Sequence, residues 1–336
     1  MAANATEPPD NTVPYIIYSI YIVLGSVTIG GNLLLLVIFG TTKALGKKEY
    51  VLPAVLAASD AIMGFGQLSA AIYRLYHLSQ GLASIPQTPW ECFWKFHNLC
   101  FVFGTFAVPT VVLAISVDRL VACASIRTYI RLDRKFVTGL AVASVSICVA
   151  LYGATMFTSY TWSPLVGKIY SKICFVSMTA PPWFMTYIVN LYQVWISTFT
   201  IVNYMIAMRF LWRGEKDEVL SDKILAIKYE RQKKVTRTLL LITGCGWILY
   251  TVPSLIVFFG HMLDVPAKYV KIYAPICWIL MGINSANNVF IYISKNADVR
   301  AAAAKMLHLQ HFLSTEVVEH SVHIHTSNTK IWATKK

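Results

Sequence analysis

Charge is scarce in this chain. Asp, Glu, Lys and Arg make up 13% of its 336 residues, whereas 56% are hydrophobic and the mean hydropathy is +0.56. That is about half the charge of an ordinary soluble protein, too little to build a water-facing surface, which excludes a soluble globular class. Acidic residues are scarcer than basic ones, 16 against 29, for a formal charge of +13. The basic excess does not indicate nucleic acid as a partner, because it falls in the gaps between long apolar runs rather than in one patch. No internal repeat is visible, which disfavours a transporter built from repeated halves.

What the chain does have is seven apolar runs, each of the length a helix needs to cross about 30 Å of hydrocarbon. They cover Tyr15 to Gly40, Val51 to Leu78, Cys92 to Ala124, Phe136 to Thr161, Trp183 to Leu211, Val235 to Met262 and Tyr269 to Ile293. The runs are continuously apolar rather than alternating, which favours helices over barrel strands. The expected fold is an all-α membrane protein, a seven-transmembrane helix bundle. No basic residue precedes the first run, and the run is longer than the apolar core of a signal peptide. Glu7 and Asp10 lie before it, and Lys43, Lys47 and Lys48 after it, which places the amino terminus outside and the carboxyl terminus inside. On that topology 23 of the 29 basic residues are inside, and the six outside are Arg74, Lys95, Lys168, Lys172, Lys268 and Lys271.

Residues 1–14 then form an extracellular tail, 15–295 the seven-span body and 314–336 a polar cytoplasmic tail. Between the last two, 296–313 carries Val299, Ala303, Met306, Leu307 and Leu313 on one helical face, as expected of a short amphipathic helix lying on membrane lipid at the inner surface. The inner stretch from Trp212 to Lys234 reads as extensions of the flanking helices. Asn4-Ala5-Thr6 fits a glycosylation acceptor on the outer tail.

Polar residues inside the spans require a reason, because each costs about 1 to 3 kcal/mol at membrane depth. The second span carries Asp60, the first Asn32, and the seventh Asn284, Ser285, Asn287, Asn288 and Tyr292. Asn284 and Asn288 are four apart and share a helix face, so a buried polar network centred on Asp60 is expected, with unrelated interhelical hydrogen bonds as the alternative. Asp118-Arg119-Leu120 closes the third span. An arginine at this depth beside its own carboxylate is placed to change partners if neighbouring helices move; the plainer alternative is an interfacial arginine reaching for headgroups.

Gly31-Asn32, Leu56-Ala57-x-x-Asp60, Asp118-Arg119-Leu120, Pro253 and Asn284-Ser285-x-x-Asn288-x-x-x-Tyr292 occur in order in spans one, two, three, six and seven. In this the chain resembles the rhodopsin-like (class A) G-protein-coupled receptors. Within them it looks like the nematode serpentine chemoreceptors of the srsx group, on the stretch from Glu91-Cys92-Phe93-Trp94 through Arg119 to Tyr129. The resemblance implies a plasma-membrane receptor with no catalytic chemistry, which senses an extracellular ligand and activates a heterotrimeric G protein, with arrestin and a receptor kinase as further partners. Ser314, Thr315, Ser321, Thr326, Ser327, Thr329 and Thr334 are permissive kinase targets. It implies an activation switch of Asp118, Arg119, Tyr204, Pro253, Asn288 and Tyr292. Lys233, Lys234 and Arg237 would border the G-protein site. A sodium or polar-network site would comprise Asp60, Asn284, Ser285 and Asn288; no other cofactor is expected. It also implies a disulfide between Cys174 and either Cys92 or Cys100, of which Cys92 is the expected partner.

The chain departs from that pattern at several places. Val289 replaces the proline after Asn288, Leu120 replaces the aromatic after Arg119, the fourth span lacks its tryptophan, and Val108 stands where a serine would complete the sodium pocket. The sixth span reads Tyr250-Thr251-Val252-Pro253 with Trp247 one turn earlier, and Lys233 stands where an acidic partner for Arg119 is usual. Phe101 and Gly282 occupy the positions of the aminergic aspartate and the retinal-binding lysine, which disfavours both ligand classes. The candidate pocket set is Phe101, Thr105, Phe175, Tyr192, Ser254, Phe258 and Trp278, suited to a neutral or weakly polar small molecule, with a neuropeptide as alternative. His308, His311, His320, His323 and His325 lack the fixed geometry of a metal site, so no metal is expected. A plasma-membrane transporter or channel is the rival function; a membrane enzyme is disfavoured because Asp60 is the one clear deep carboxylate.

Overall fold

The computed structural model describes residues 12–42, 48–168, 170–214, 223–263, 265 and 267–307. Asn4, the tail 314–336 and the histidines from His308 onward lie outside the described residues. Within them are eleven α-helices: α1 Thr12–Thr41, α2 Val51–Ser79, α3 Pro89–Phe93, α4 Phe96–Ala124, α5 Ile126–Arg131, α6 Arg134–Val166, α7 Leu191–Gly214, α8 Lys223–Gly246, α9 Val252–Met262, α10 Ala267–Lys295 and α11 Ala297–Met306. Seven of the resulting helical stretches are long and apolar enough to cross a membrane. The chain is a multi-pass membrane protein with the expected all-α bundle.

The third span, α4, is the most enclosed and packs against α2, α6 and α7. Its expected start at Cys92 is corrected: the helix begins at Phe96, and Cys92 belongs to α3. The cause is local. Thr88 and Glu91 form a capping box, with Glu91 N–H donating to Thr88 Oγ1 (3.1 Å) and Thr88 N–H to Glu91 Oε2 (2.8 Å). That bond from the Thr88 backbone holds the Glu91 carboxyl below its ordinary range. Lys95 is extended and breaks the helix, and Asn98 Nδ2 donates back to the Cys92 carbonyl at 2.8 Å. Cys92 is bonded to Cys174, as expected, and Cys100 is free. The bridge ties α3 to the loop after α6, where Pro86–Gln87 pairs antiparallel with Tyr170–Ser171.

Two π-helical turns interrupt the spans, Phe184–Asn190 before α7 and Trp247–Thr251 between α8 and α9. The second ends two residues before Pro253, whose ring nitrogen cannot donate and whose ring crowds the carbonyl one turn back; the wider turn absorbs both. The α1 and α10 contact explains one departure noted above. A Cβ on Gly31 would lie 3.0 Å from both methyls of Val289, so the valine that replaces a proline is seated against a glycine in the first span. Helix α11 starts on an Asn296 cap that accepts from the Asp298 and Val299 N–H groups. It buries Val299 and Ala303 against the bundle, and its described length is shorter than the expected 296–313.

Candidate functional site

At the end of the bundle away from the disulfide, Arg119 is 1% exposed. A buried unpaired guanidinium would cost several kcal/mol, and the surrounding elements supply acceptors for it. Arg119 Nε donates to Asp118 Oδ2 at 3.0 Å, and Nη2 forms an ion pair with the same oxygen. Nη2 also donates to the Tyr129 hydroxyl (2.8 Å), which in turn donates to Asp118 Oδ2 at 3.4 Å. Nη1 donates to Gln232 Oε1 at 2.6 Å, and Gln232 Nε2 donates to Glu49 Oε1 at 2.9 Å. Burial pushes the Tyr129 phenol above its ordinary range, so it stays protonated and keeps its donor. Lys48 closes the cluster: its Nζ donates to the carbonyls of Tyr129 (2.5 Å) and Leu132 (2.7 Å) and lies 4.0 Å from the Tyr129 ring centre. One arginine thus joins the third span to α5 and to the sixth span, and through Gln232 to the start of the second.

Deeper in the bundle, Asn288 Nδ2 donates to Asp60 Oδ2 at 2.8 Å, while Asp60 Oδ1 accepts no hydrogen bond. Asn32 Nδ2 donates to the Thr28 carbonyl (2.9 Å) and the Ser285 carbonyl (3.4 Å). Asn284 and Asn288 both line a cavity of about 40 Å³ with Val108, Thr243, Gly246 and Tyr250 among its walls. That volume holds roughly three waters and is too small for an organic ligand. Two residues of the expected switch, Tyr204 and Tyr292, are buried nearby, and neither is hydrogen-bonded to Arg119.

The sequence model described as "Serpentine type 7TM GPCR chemoreceptor Srsx" matches residues 23–307. The chain belongs to the Srsx chemoreceptor family. No curated protein matches it. Membership makes it a serpentine receptor rather than a member of an enzyme or transporter family.

In this Srsx receptor none of the seven expected pocket residues lines the small cavity; they lie towards the disulfide end or hold helices together. Phe101 and Trp278 are in contact at 5.2 Å between ring centres. The Tyr192 hydroxyl is bonded to Thr110 Oγ1 (2.5 Å), the Thr105 carbonyl accepts from Tyr250 (3.3 Å), and Ser254 Oγ donates to Gln193 Oε1 (2.8 Å). Phe258 packs edge-on to Phe259, and Phe175 is partly exposed over Arg74. Sequence analysis overlooked Gln232, Tyr129, Glu49, Gln193 and Tyr250. Tyr250 is buried and directed at the third span, whereas Trp247 is 37% exposed; Pro253, the expected switch proline, sits three residues beyond it. Gln232 carries no charge that would mark it as a partner for Arg119, and Lys233 beside it lies 3.8 Å from Glu230.

The Tyr129→Phe variant removes one hydroxyl bonded to a buried charge, so its expected loss is about 2 kcal/mol of stability. Thermal melting of the purified receptor measures it, and an unchanged midpoint would show that Tyr129 does not help to hold Arg119.

Proposed function

We propose that the chain is a plasma-membrane receptor whose amino terminus and disulfide end face outward, and whose Arg119 end engages a heterotrimeric G protein. The observation that carries this is the clasp on Arg119. A buried charge held by three side chains from different segments is a two-position element: it can exchange partners only if those segments separate. An extracellular ligand with higher affinity for the separated form shifts the population towards it. Arg119 then leaves Gln232 and Tyr129 for Tyr204 or Tyr292, the sixth span swings away at its inner end, and Lys233, Lys234 and Arg237 border the opened G-protein site. No observation favours a transporter or channel. The tail 314–336 is the segment offered to a receptor kinase and arrestin, residues 1–14 form the outer tail with Asn4 as glycosylation acceptor, and α11 rests on inner-leaflet lipid.

The ligand side is the aromatic set around Phe101 and Trp278, which suits a small molecule with an apolar body. Asp60 Oδ1, which accepts no hydrogen bond, together with Ser285, Asn284 and Asn288, fits a sodium ion. Val108 adds no oxygen to that set. Exchanging sodium for choline is expected to lower the melting midpoint of the wild-type receptor and leave Asp60→Asn unmoved. Equal wild-type midpoints in the two salts contradict the ion site.

The G-protein reading is tested by nucleotide exchange on a reconstituted receptor. Gln232→Leu keeps the size of the side chain but removes the acceptor on Nη1, a bond to a charged group of about 1.5 to 3 kcal/mol. Ligand-free exchange is expected to rise by about tenfold. Exchange that stays at the receptor-free level for both wild type and variant would rule out G-protein coupling.

A further inference from the structure

The described disulfide end holds a second buried guanidinium, and no carboxylate pairs with it. Arg74, in the second span, is 3% exposed. Its Nε donates to the Ile173 carbonyl (3.3 Å) and its Nη2 to the Cys174 carbonyl (3.2 Å). These two bonds occupy one edge of the guanidinium. The other edge, where Nη1 and Nη2 present parallel N–H groups, makes no hydrogen bond to a described residue. That edge is the one that receives a carboxylate in bidentate fashion. The ring of Phe175 covers the guanidinium at 4.4 Å and that of Tyr18 lies 5.7 Å away.

The surroundings are rich in donors. Cys174 is left-handed (φ 46°) and is anchored by its bridge to Cys92. Its single carbonyl meets Arg74 Nη2, His97 Nε2 (3.1 Å) and Asn98 Nδ2 (3.3 Å) together, three groups on an oxygen with two lone pairs. Lys95 adds a further cation, 5.7 Å from the Tyr73 ring. The one acidic residue described at this end is Glu91, and its carboxylate is engaged by its own helix cap. Among the described residues this buried charge is bonded only to loop carbonyls and has no counter-ion. An apolar wall lies beside it. Trp278 packs on Phe101 and joins the cluster of Tyr18, Tyr21 and Ala71; Ala71 precedes Arg74 by three residues on the same face of α2.

We propose that Arg74 is the anchor for a small organic carboxylate, whose acid group takes the free guanidinium edge while its apolar body lies along Tyr18, Trp278 and Phe101. The sequence-based expectation of a neutral ligand is thereby replaced by an anionic one. The inference deepens the receptor reading and rests on it for signalling, although binding itself is independent of G-protein coupling.

The test uses full-length receptor in lipid nanodiscs and a probe set of hexanoate, octanoate, decanoate and 3-phenylpropanoate, each paired with its methyl ester. At least one acid is expected to raise the melting midpoint while its ester does not. Arg74→Gln should weaken that acid by about thirtyfold or more, and Arg74→Lys should retain part of the effect. The proposal is overturned if no acid shifts the wild type, if esters act as well as acids, or if Arg74→Gln binds the acid like wild type. A variant that merely melts lower, with no acid-selective shift in the wild type, makes Arg74 a staple for the loop and also overturns it. Acid-selective binding without nucleotide exchange upholds the carboxylate site and contradicts the signalling role. Basal exchange responsive to Gln232→Leu with no acid selectivity does the reverse.

Discussion

A guanidinium in an apolar bundle has to be bonded on all sides or the bundle must open to water. Arg119 imposes that condition where the third, sixth and second spans converge, and the local architecture follows from it. Asp118 cancels the charge from the neighbouring position, Tyr129 brings α5 against the bundle, and Gln232 brings in the sixth span. Lys48 then secures α5 from the opposite side through two backbone carbonyls. Neutral Gln232 does here what a carboxylate could do more strongly. A single amide oxygen on a charged donor is worth only a few kcal/mol, which is the scale a ligand's differential affinity has to meet to move a two-state equilibrium.

The rest of the bundle is arranged so that such a change can propagate. The cavity among Val108, Thr243, Gly246, Tyr250, Asn284 and Asn288 lies between the third, fifth, sixth and seventh spans, where helix movement meets few packed side chains. The π turn at Trp247–Thr251 and the proline after it place an interruption of the regular α-helical hydrogen bonding of the sixth span beside that cavity. Tyr250, buried and bonded to the third span through the Thr105 carbonyl, occupies the core-facing position at this level.

Much of this was legible in the residues. Seven apolar runs, the position of Asp60 opposite Asn288, the Asp118-Arg119 pair and the Cys92–Cys174 bridge all follow from patterns that periodicity, charge or family resemblance exposes. What escaped has physical causes. The break at Lys95 depends on a capping box that competes with an apolar run, so the third span looked longer than it is. Gln232 escaped because an uncharged amide carries no signal in a search for ion pairs. Arg74 was counted as an outer basic residue for topology, although its helical spacing from Gln67 and Ala71, both buried, already put it on the inward face. Val289 looked like a loss until its seat against Gly31 appeared.

The central claim is that the Arg119 clasp holds α5 and the sixth span together and that G protein separates them. Spin labels at Ile130 on α5, which is exposed, and Thr238 on α8, which is partly exposed, report that distance by double electron–electron resonance. A single short distance in the ligand-free receptor, joined by a longer one when nucleotide-free G protein is added, is the result the account predicts. An identical distance distribution with and without G protein would contradict it.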